Sequence, residues 1–199
     1  MRVINTNDIT NLVEKLSIEA NCHLTSDIYK SFGAAINREK STLGKEILST
    51  LKKNADIARE GLNPICQDTG MTVVFVTMGQ DISIQGGYIE DAINMGVRRG
   101  YDKGFLRKSV VKSPIDRENT KDNTPAIIHY EIVPGDHFHI TVAPKGFGSE
   151  NMSQLKMLKP SQGVEGVKEF VIKTVSEAGA NPCPPIIVGV GIGGTMEKA

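Results

Sequence analysis

Six residues, Met71-Thr72-Val73-Val74-Phe75-Val76, constrain this chain more than any others. They combine β-branched and aromatic side chains without a charge, which is the pattern of a buried strand. Pro64 and Gly70 bracket the stretch just before it, Asn63-Pro64-Ile65-Cys66-Gln67-Asp68-Thr69-Gly70. That stretch is therefore a fixed turn rather than part of an element. It presents a thiol, an amide and a carboxylate on the lip of the strand. Such a trio reads either as a site or as a packing cysteine beside an ordinary turn acid.

The 199 residues suffice for one domain with its own core. Lys+Arg and Asp+Glu both number 23, so no global field draws nucleic acid or an anionic membrane. No run of about 18 apolar residues is present to span a bilayer. The opening Met1-Arg2-Val3-Ile4-Asn5 has no apolar signal region. The expectation is a cytoplasmic protein with neither nucleic-acid nor membrane partners. Cys22, Cys66 and Cys183 are odd in number and far apart, so disulfides are not expected. Cys-x-x-Cys and His-x-x-x-His are both missing, and with them the common structural zinc patterns.

Taken in order, residues 1–60 read as a helical region and 61–199 as a mixed α/β part, together one domain. The fold class is α+β, with the helical platform packed on a mixed β-sheet flanked by helices. A first helix begins near Thr6 or Asn7 and turns Ile9, Leu12, Val13 and Leu16 inward. A second begins at Thr25 or Ser26, with Ile28, Tyr29, Phe32, Ala35 and Ile36 inward. A third begins at Ser41, carries Leu43, Ile47, Leu48 and Leu51 on one face, and stops at Gly61. A fourth pattern starts at Tyr88 and ends in Arg98-Arg99-Gly100, basic residues suited to a last turn. Phe105-Leu106-Arg107-Lys108-Ser109 follows outside any helix, which aims Arg107 inward as a carboxylate partner or leaves it in a surface ion pair.

The polar residues 112–124 read as a long loop. Ala126–Val133 and His137–Ala143 are expected to form an antiparallel hairpin around Pro134-Gly135. His137 and His139 then share one strand face, as metal ligands or as satisfied polar groups. Pro144-Lys145-Gly146-Phe147-Gly148-Ser149-Glu150-Asn151 reads as a glycine-rich loop that offers backbone N–H groups. A helix spans Gly163–Gly179, with Val164, Val167, Phe170, Val171, Thr174 and Val175 inward. Cys183 sits between prolines on a rigid, non-helical backbone. Ile186–Val190 is expected to be a buried strand. Thr195 reads as the cap of a helix that begins at Met196, so the chain is expected to continue past Ala199.

Cys66 and Cys183 each lie in a proline-restrained turn beside an apolar run, and two thiols without neighbouring histidines suit an iron–sulfur cluster. Five motifs occur in order: Asn-Pro-Ile-Cys-Gln-Asp-Thr-Gly, Phe-Leu-Arg-Lys-Ser, Lys-Gly-Phe-Gly-Ser-Glu-Asn, Pro-Cys-Pro-Pro and Gly-Ile-Gly-Gly-Thr. Through them the chain resembles the class I iron–sulfur hydro-lyases, the oxygen-sensitive fumarases and L-tartrate dehydratases, and within them the α subunit of the two-subunit form. The Lys-Gly-Phe-Gly departs from that family's more usual Lys-Gly-Gly-Gly.

The resemblance implies an Fe–S hydro-lyase α-type domain and a [4Fe–4S] cluster held by three cysteines. Cys66 and Cys183 match two of them, Cys22 does not match the third, and the third lies in the family beyond residue 199. The iron without a protein ligand would act as a Lewis acid toward the departing hydroxyl. Gln67 and Asp68 would lie against the substrate, Asp68 as acid/base, Arg107 on a carboxylate and the Gly148 N–H on a substrate oxygen. The implied partners are a C4 dicarboxylate substrate, a β subunit that completes the active site, and further copies in a homo-oligomer of αβ units. Reversible hydration of fumarate to (S)-malate is the first reading. The alternatives are an L-tartrate dehydratase α subunit, or a non-catalytic module that docks a β subunit or holds metal.

Overall fold

In the computed structural model, which describes residues 1–199, the chain is α+β as expected. Its elements run β1 (Arg2–Asn5), α1 (Thr6–Cys22), α2 (Ser26–Arg38), α3 (Thr42–Gly61), β2 (Met71–Gly79), β3 (Ile82–Gln85), α4 (Ile89–Lys103), β4 (Ile127–Val133), β5 (Phe138–Lys145), α5 (Phe147–Glu150) and α6 (Gly163–Ala178). They divide into two compact units, Met1–Lys145 and Gly146–Ala199. No helix is long and apolar enough to cross a membrane.

In the first unit the apolar run 71–76 becomes β2, the middle strand of a sheet ordered β4-β2-β5. It pairs parallel with β4 and antiparallel with β5, so that Phe75 lies opposite both His129 and Thr141. Alternation sends Thr72, Val74 and Val76 to one buried face. There Val74 and Val76 join Ile140 of β5, Ile9 and Val13 of α1, and Ala92, Ile93, Val97 and Tyr101 of α4 in a single core. β1 and β3 form a separate two-stranded parallel sheet. Neither was expected, although Ile82-Ser83-Ile84-Gln85 alternates apolar and polar residues.

The expected hairpin is corrected. Both strands exist and run in opposite directions, but β2 lies between them and they do not pair with each other. The most apolar strand takes the middle, where both its edges are hydrogen-bonded, and α4 lies in the long crossover that a parallel β2–β4 pair requires. The link from β4 to β5 wraps the end of β2. Gly79 N–H donates to His137 O at 2.7 Å, Gln80 N–H to Val133 O at 2.9 Å and Asp81 N–H to Gly135 O at 2.9 Å. A side chain at Gly79 would block this wrap, since its Cβ would lie 2.1 Å from Gly135 O.

The seam between α1 and α4 is built from small residues. A Cβ at Gly96 would lie 2.7 Å from Thr10 O and from Val13 Cβ, and one at Gly100 2.8 Å from Glu14 O and 2.9 Å from Ser17 Cβ. Thr10 Oγ1 donates to Ala92 O at 3.0 Å across it. The buried stripe of α1 is consequently Thr6, Ile9, Thr10, Val13, Ser17, Asn21 and Cys22, whereas the expected Leu12 is exposed. α4 does not stop at Arg98-Arg99-Gly100 but runs on to Lys103, because Gly100 serves the seam rather than a stop.

α2 and α3 pack on each other through half-buried faces. Tyr29 Oη donates to Asp56 Oδ1 at 2.7 Å, while Lys52 and Arg59 lie over its ring. Ser41 caps α3 as expected, its Oγ accepting from Gly44 N–H at 3.3 Å. The inward face of α3 is Leu48, Leu51, Ala55 and Ala58, and the expected Leu43 and Ile47 are exposed.

In the second unit α6 has the expected span, with Val167, Phe170, Val171 and Thr174 half-buried, but Val164 and Val175 exposed. The expected strand Ile186–Val190 is corrected: it is irregular, and Ile187 is 79% exposed. A strand needs a ladder partner, and this unit contains no other strand to offer one. Thr195 caps a final turn as expected, with Lys198 N–H donating to its Oγ1 at 3.2 Å. A cleft of about 770 Å³ runs between α6 and the tail, lined by side chains such as Met157, Phe170, Val171, Ile187 and Val190. Its one charged lining side chain is Lys156.

Candidate active site

The turn after α3 is held on both sides. Leu62 closes the helix in a left-handed conformation at φ 49°. Ile65 N–H donates to Asn21 O at 2.9 Å, and Ile65 O accepts from Asn54 Nδ2 at 2.8 Å. Cys66 and Gln67 are exposed on the resulting corner. The Cys66 thiol donates to Gln67 Oε1 at 3.5 Å, and its sulfur accepts the Asp68 N–H at 3.4 Å. Asp68 Oδ1 accepts the Gly70 N–H at 3.1 Å, so the modest turn role is real.

Thr69 Oγ1 donates to Arg107 O at 2.9 Å and fastens the cysteine corner to the segment after α4. In that segment Phe105 takes φ 51° and lies 92% exposed, while Leu106 is buried. Of the two alternatives for Arg107, aimed inward or held in a surface ion pair, the structure leaves the residue exposed. Leu106 beside it takes the core position. Lys108 is paired with Asp102 at 2.8 Å and holds that carboxyl below the usual range, whereas no carboxylate of the chain pairs with Arg107.

Two buried residues behind the corner carried no signal as site residues. Tyr101 Oη donates to Thr69 O at 2.6 Å and lies 3.3 Å from Gly70 O. Burial raises its hydroxyl above the ordinary phenol range, and the charge of Asp68 adds to the shift. Asn123 Nδ2 donates to Gly70 O at 3.1 Å from within the polar loop. Tyr101 lies past the expected end of α4 at Gly100, and nothing in the loop's composition marks one asparagine as buried.

The expected glycine-rich loop is corrected in part. Pro144 and Lys145 complete β5, and Phe147–Glu150 form the one-turn helix α5. A Cβ at Gly148 would lie 3.2 Å from Asn181 O, so this glycine sits against the turn that leads to Cys183. Cys183 is exposed, in a left-handed conformation at φ 58°, and its N–H donates to Ala180 O at 3.1 Å. The expected residues thus form two groups, Cys66, Gln67, Asp68 and Arg107 in one unit and Gly148 with Cys183 in the other.

The other ligand candidates are accounted for. Cys22 is 0% exposed and burial raises its thiol, so it packs in the protein interior. His137 and His139 stack with centroids 6.2 Å apart, and His139 Nε2 is 3.1 Å from Thr141 Oγ1. No further His, Cys, Asp or Glu converges with them as a metal-binding group. All three cysteines are free thiols. Cys66 and Cys183, each exposed in an irregular turn of its own unit, are soft donors of the kind that an iron–sulfur cluster takes.

The sequence model of the Fumerase family, described as fumarate hydratase, matches residues 10–199. The chain belongs to this fumarate hydratase family. The resemblance carried by the five motifs therefore holds, and the family is one of hydro-lyases. A Methanocaldococcus jannaschii protein with the provisional name L(+)-tartrate dehydratase subunit alpha is 42% identical over 96% of this chain and 69% of its own length. The L(+)-tartrate dehydratase subunit alpha of Escherichia coli strain UTI89 is 32% identical over 97% of the chain and 64% of its own length. The chain spans about two thirds of the length of these relatives.

Proposed function

We propose that this chain is the α, cluster-bearing component of a [4Fe–4S] hydro-lyase, and that L(+)-tartrate is the acid it dehydrates. The hydrogen bond from Thr69 Oγ1 to Arg107 O carries the reading, because it fastens a thiol, an amide and an acid to an unpaired guanidinium. The relatives' names support tartrate over fumarate, which the motifs by themselves do not separate. Cys66 and Cys183 are two of the three thiolates, and the third comes from outside residues 1–199. When bound, the cluster supplies a Lewis acid toward the departing hydroxyl.

The chain's own residues do the rest. Arg107 pairs with a substrate carboxylate through two N–H donors. Gln67 and the Gly148 N–H bond substrate oxygens. Asp68, oriented through Oδ1 by the Gly70 N–H, moves the proton between substrate and solvent. Loss of water from tartrate gives the enol of a 2-oxo dicarboxylate, which needs no further cofactor. A β subunit completes the active site, and αβ units associate further. A cytoplasmic setting, where thiols are kept reduced, belongs to this reading.

The test is turnover by the complete complex, purified and assayed without oxygen. A higher kcat/KM for L(+)-tartrate than for fumarate or (S)-malate is expected. Fumarate hydration is the second reading, favoured by the family's description, and a preference for fumarate would establish it instead. Turnover of none of these acids would overturn the hydro-lyase assignment.

A further inference from the structure

Asn123 is 0% exposed and takes the left-handed conformation at φ 61°, which asparagine tolerates better than most residues. Its side chain makes three hydrogen bonds to backbone. Oδ1 accepts from Ser109 N–H at 2.8 Å and Val110 N–H at 3.2 Å, and Nδ2 donates to Gly70 O at 3.1 Å. One amide therefore joins the Gly70 end of the cysteine turn to the strand-like segment that follows Arg107.

The loop that carries it is not loose. Asn119 Nδ2 donates to Lys108 O at 2.9 Å, Thr120 N–H to Val110 O at 2.9 Å and Lys112 N–H to Glu118 O at 2.9 Å. Asp122 is fixed by Arg98 at 2.8 Å and by the Thr124 hydroxyl at 2.8 Å. Residues 118–123 thus bind the backbone of residues 108–112 along its length. Tyr101 Oη makes a second clamp from α4, on Thr69 O.

We infer that Asn123 is a positioning residue, whose buried amide sets the Cys66–Asp68 turn against the Arg107 segment, with Tyr101 as the second clamp. The inference rests on the reading of Cys66, Gln67, Asp68 and Arg107 as one site. Neither clamp touches the exposed thiol, so both act through backbone carbonyls. Apolar packing can hold two segments together, but a directed amide also specifies their relative placement, and small misplacements are costly in catalysis.

The variants Asn123→Asp and Tyr101→Phe test it. Asparagine to aspartate keeps the shape and the Oδ1 acceptor but sets an oxygen in place of the donor that faces Gly70 O. In the full chain without metal, the ratio of Cys66 to Cys183 alkylation by iodoacetamide is expected to change several-fold in both variants. Val97→Ala, a core change in α4 that loosens the fold generally, is expected to leave the ratio as it is. In the complete complex Asn123→Asp is expected to lower kcat/KM about 10- to 100-fold, the scale of a misplaced reacting group. An unchanged ratio in both variants, or an equal change in Val97→Ala, would overturn the inference. Should Asn123→Asp fail to fold, Tyr101→Phe decides. Should the complex turn over none of the acids, the functional reading falls while the thiol ratio still decides this one.

Discussion

Asp68 separates two roles that one substitution can tell apart. Its Oδ1 accepts the Gly70 N–H at 3.1 Å, and asparagine retains that acceptor while losing the charge. In Asp68→Asn the turn is expected to persist, judged by an unchanged circular dichroism spectrum. The proton-transfer role is lost, so kcat of the complete complex is expected to fall by about 10²- to 10⁴-fold. Full activity in the variant would leave Asp68 with its turn role alone. Cys66 is unlike Cys22 in every respect that matters for ligation. One is exposed with an N–H directed at its sulfur, and the other is enclosed with its thiol raised by burial.

Between elements, the seam of α1 and α4 decides how closely two helices approach over the sheet. Gly96→Ala adds helix propensity worth about 0.5–1 kcal/mol. Against this, the new Cβ would meet Thr10 O and Val13 Cβ at 2.7 Å, and neither is the end of a flexible side chain. Overpacking of this kind costs about 1–3 kcal/mol, so the contact outweighs the propensity. Gly96→Ala is expected to lower stability in urea denaturation, and a gain in stability would show that the seam has slack.

The molecule as a whole should weaken in alkali for a reason that two tyrosines supply. Partial desolvation, with the Glu90 carboxylate and Tyr88 adding to it, pushes the Tyr130 phenol up to about 12, although the residue is 40% exposed and solvent screens part of the effect. Tyr101 is also raised, chiefly by burial. Free tyrosine ionises near pH ~10. Between about pH 10 and 12 the unfolded chain therefore holds fewer protons than the folded one, and stability falls as pH rises. Below this window the contribution is fully present. The urea midpoint is expected to be flat up to about pH 9 and to decline above pH 10, less steeply in Tyr130→Phe. A midpoint that held to pH 12 would contradict it.

Local chemistry alone determined a good part of this protein. The cysteine corner and its strand, the caps at Ser41 and Thr195, the spans of α2 and α6 and the family itself were all legible, because each depends on residues adjacent in the chain. Periodicity also marked β4 and β5 correctly as strands. It could not say that β2 would lie between them, since an edge is chosen in competition with every other strand. The same limit explains α1, whose inward face follows two glycines of α4 rather than its own largest apolar residues. Asn123 is the sharpest case. It stands in a polar loop like its neighbours, and only the arrival of Gly70, 53 positions away, removes its water and gives its amide a partner. A sequence names the groups able to do chemistry; which of them lose solvent, and which backbone atoms they then hold, is decided by contacts between segments far apart in the chain.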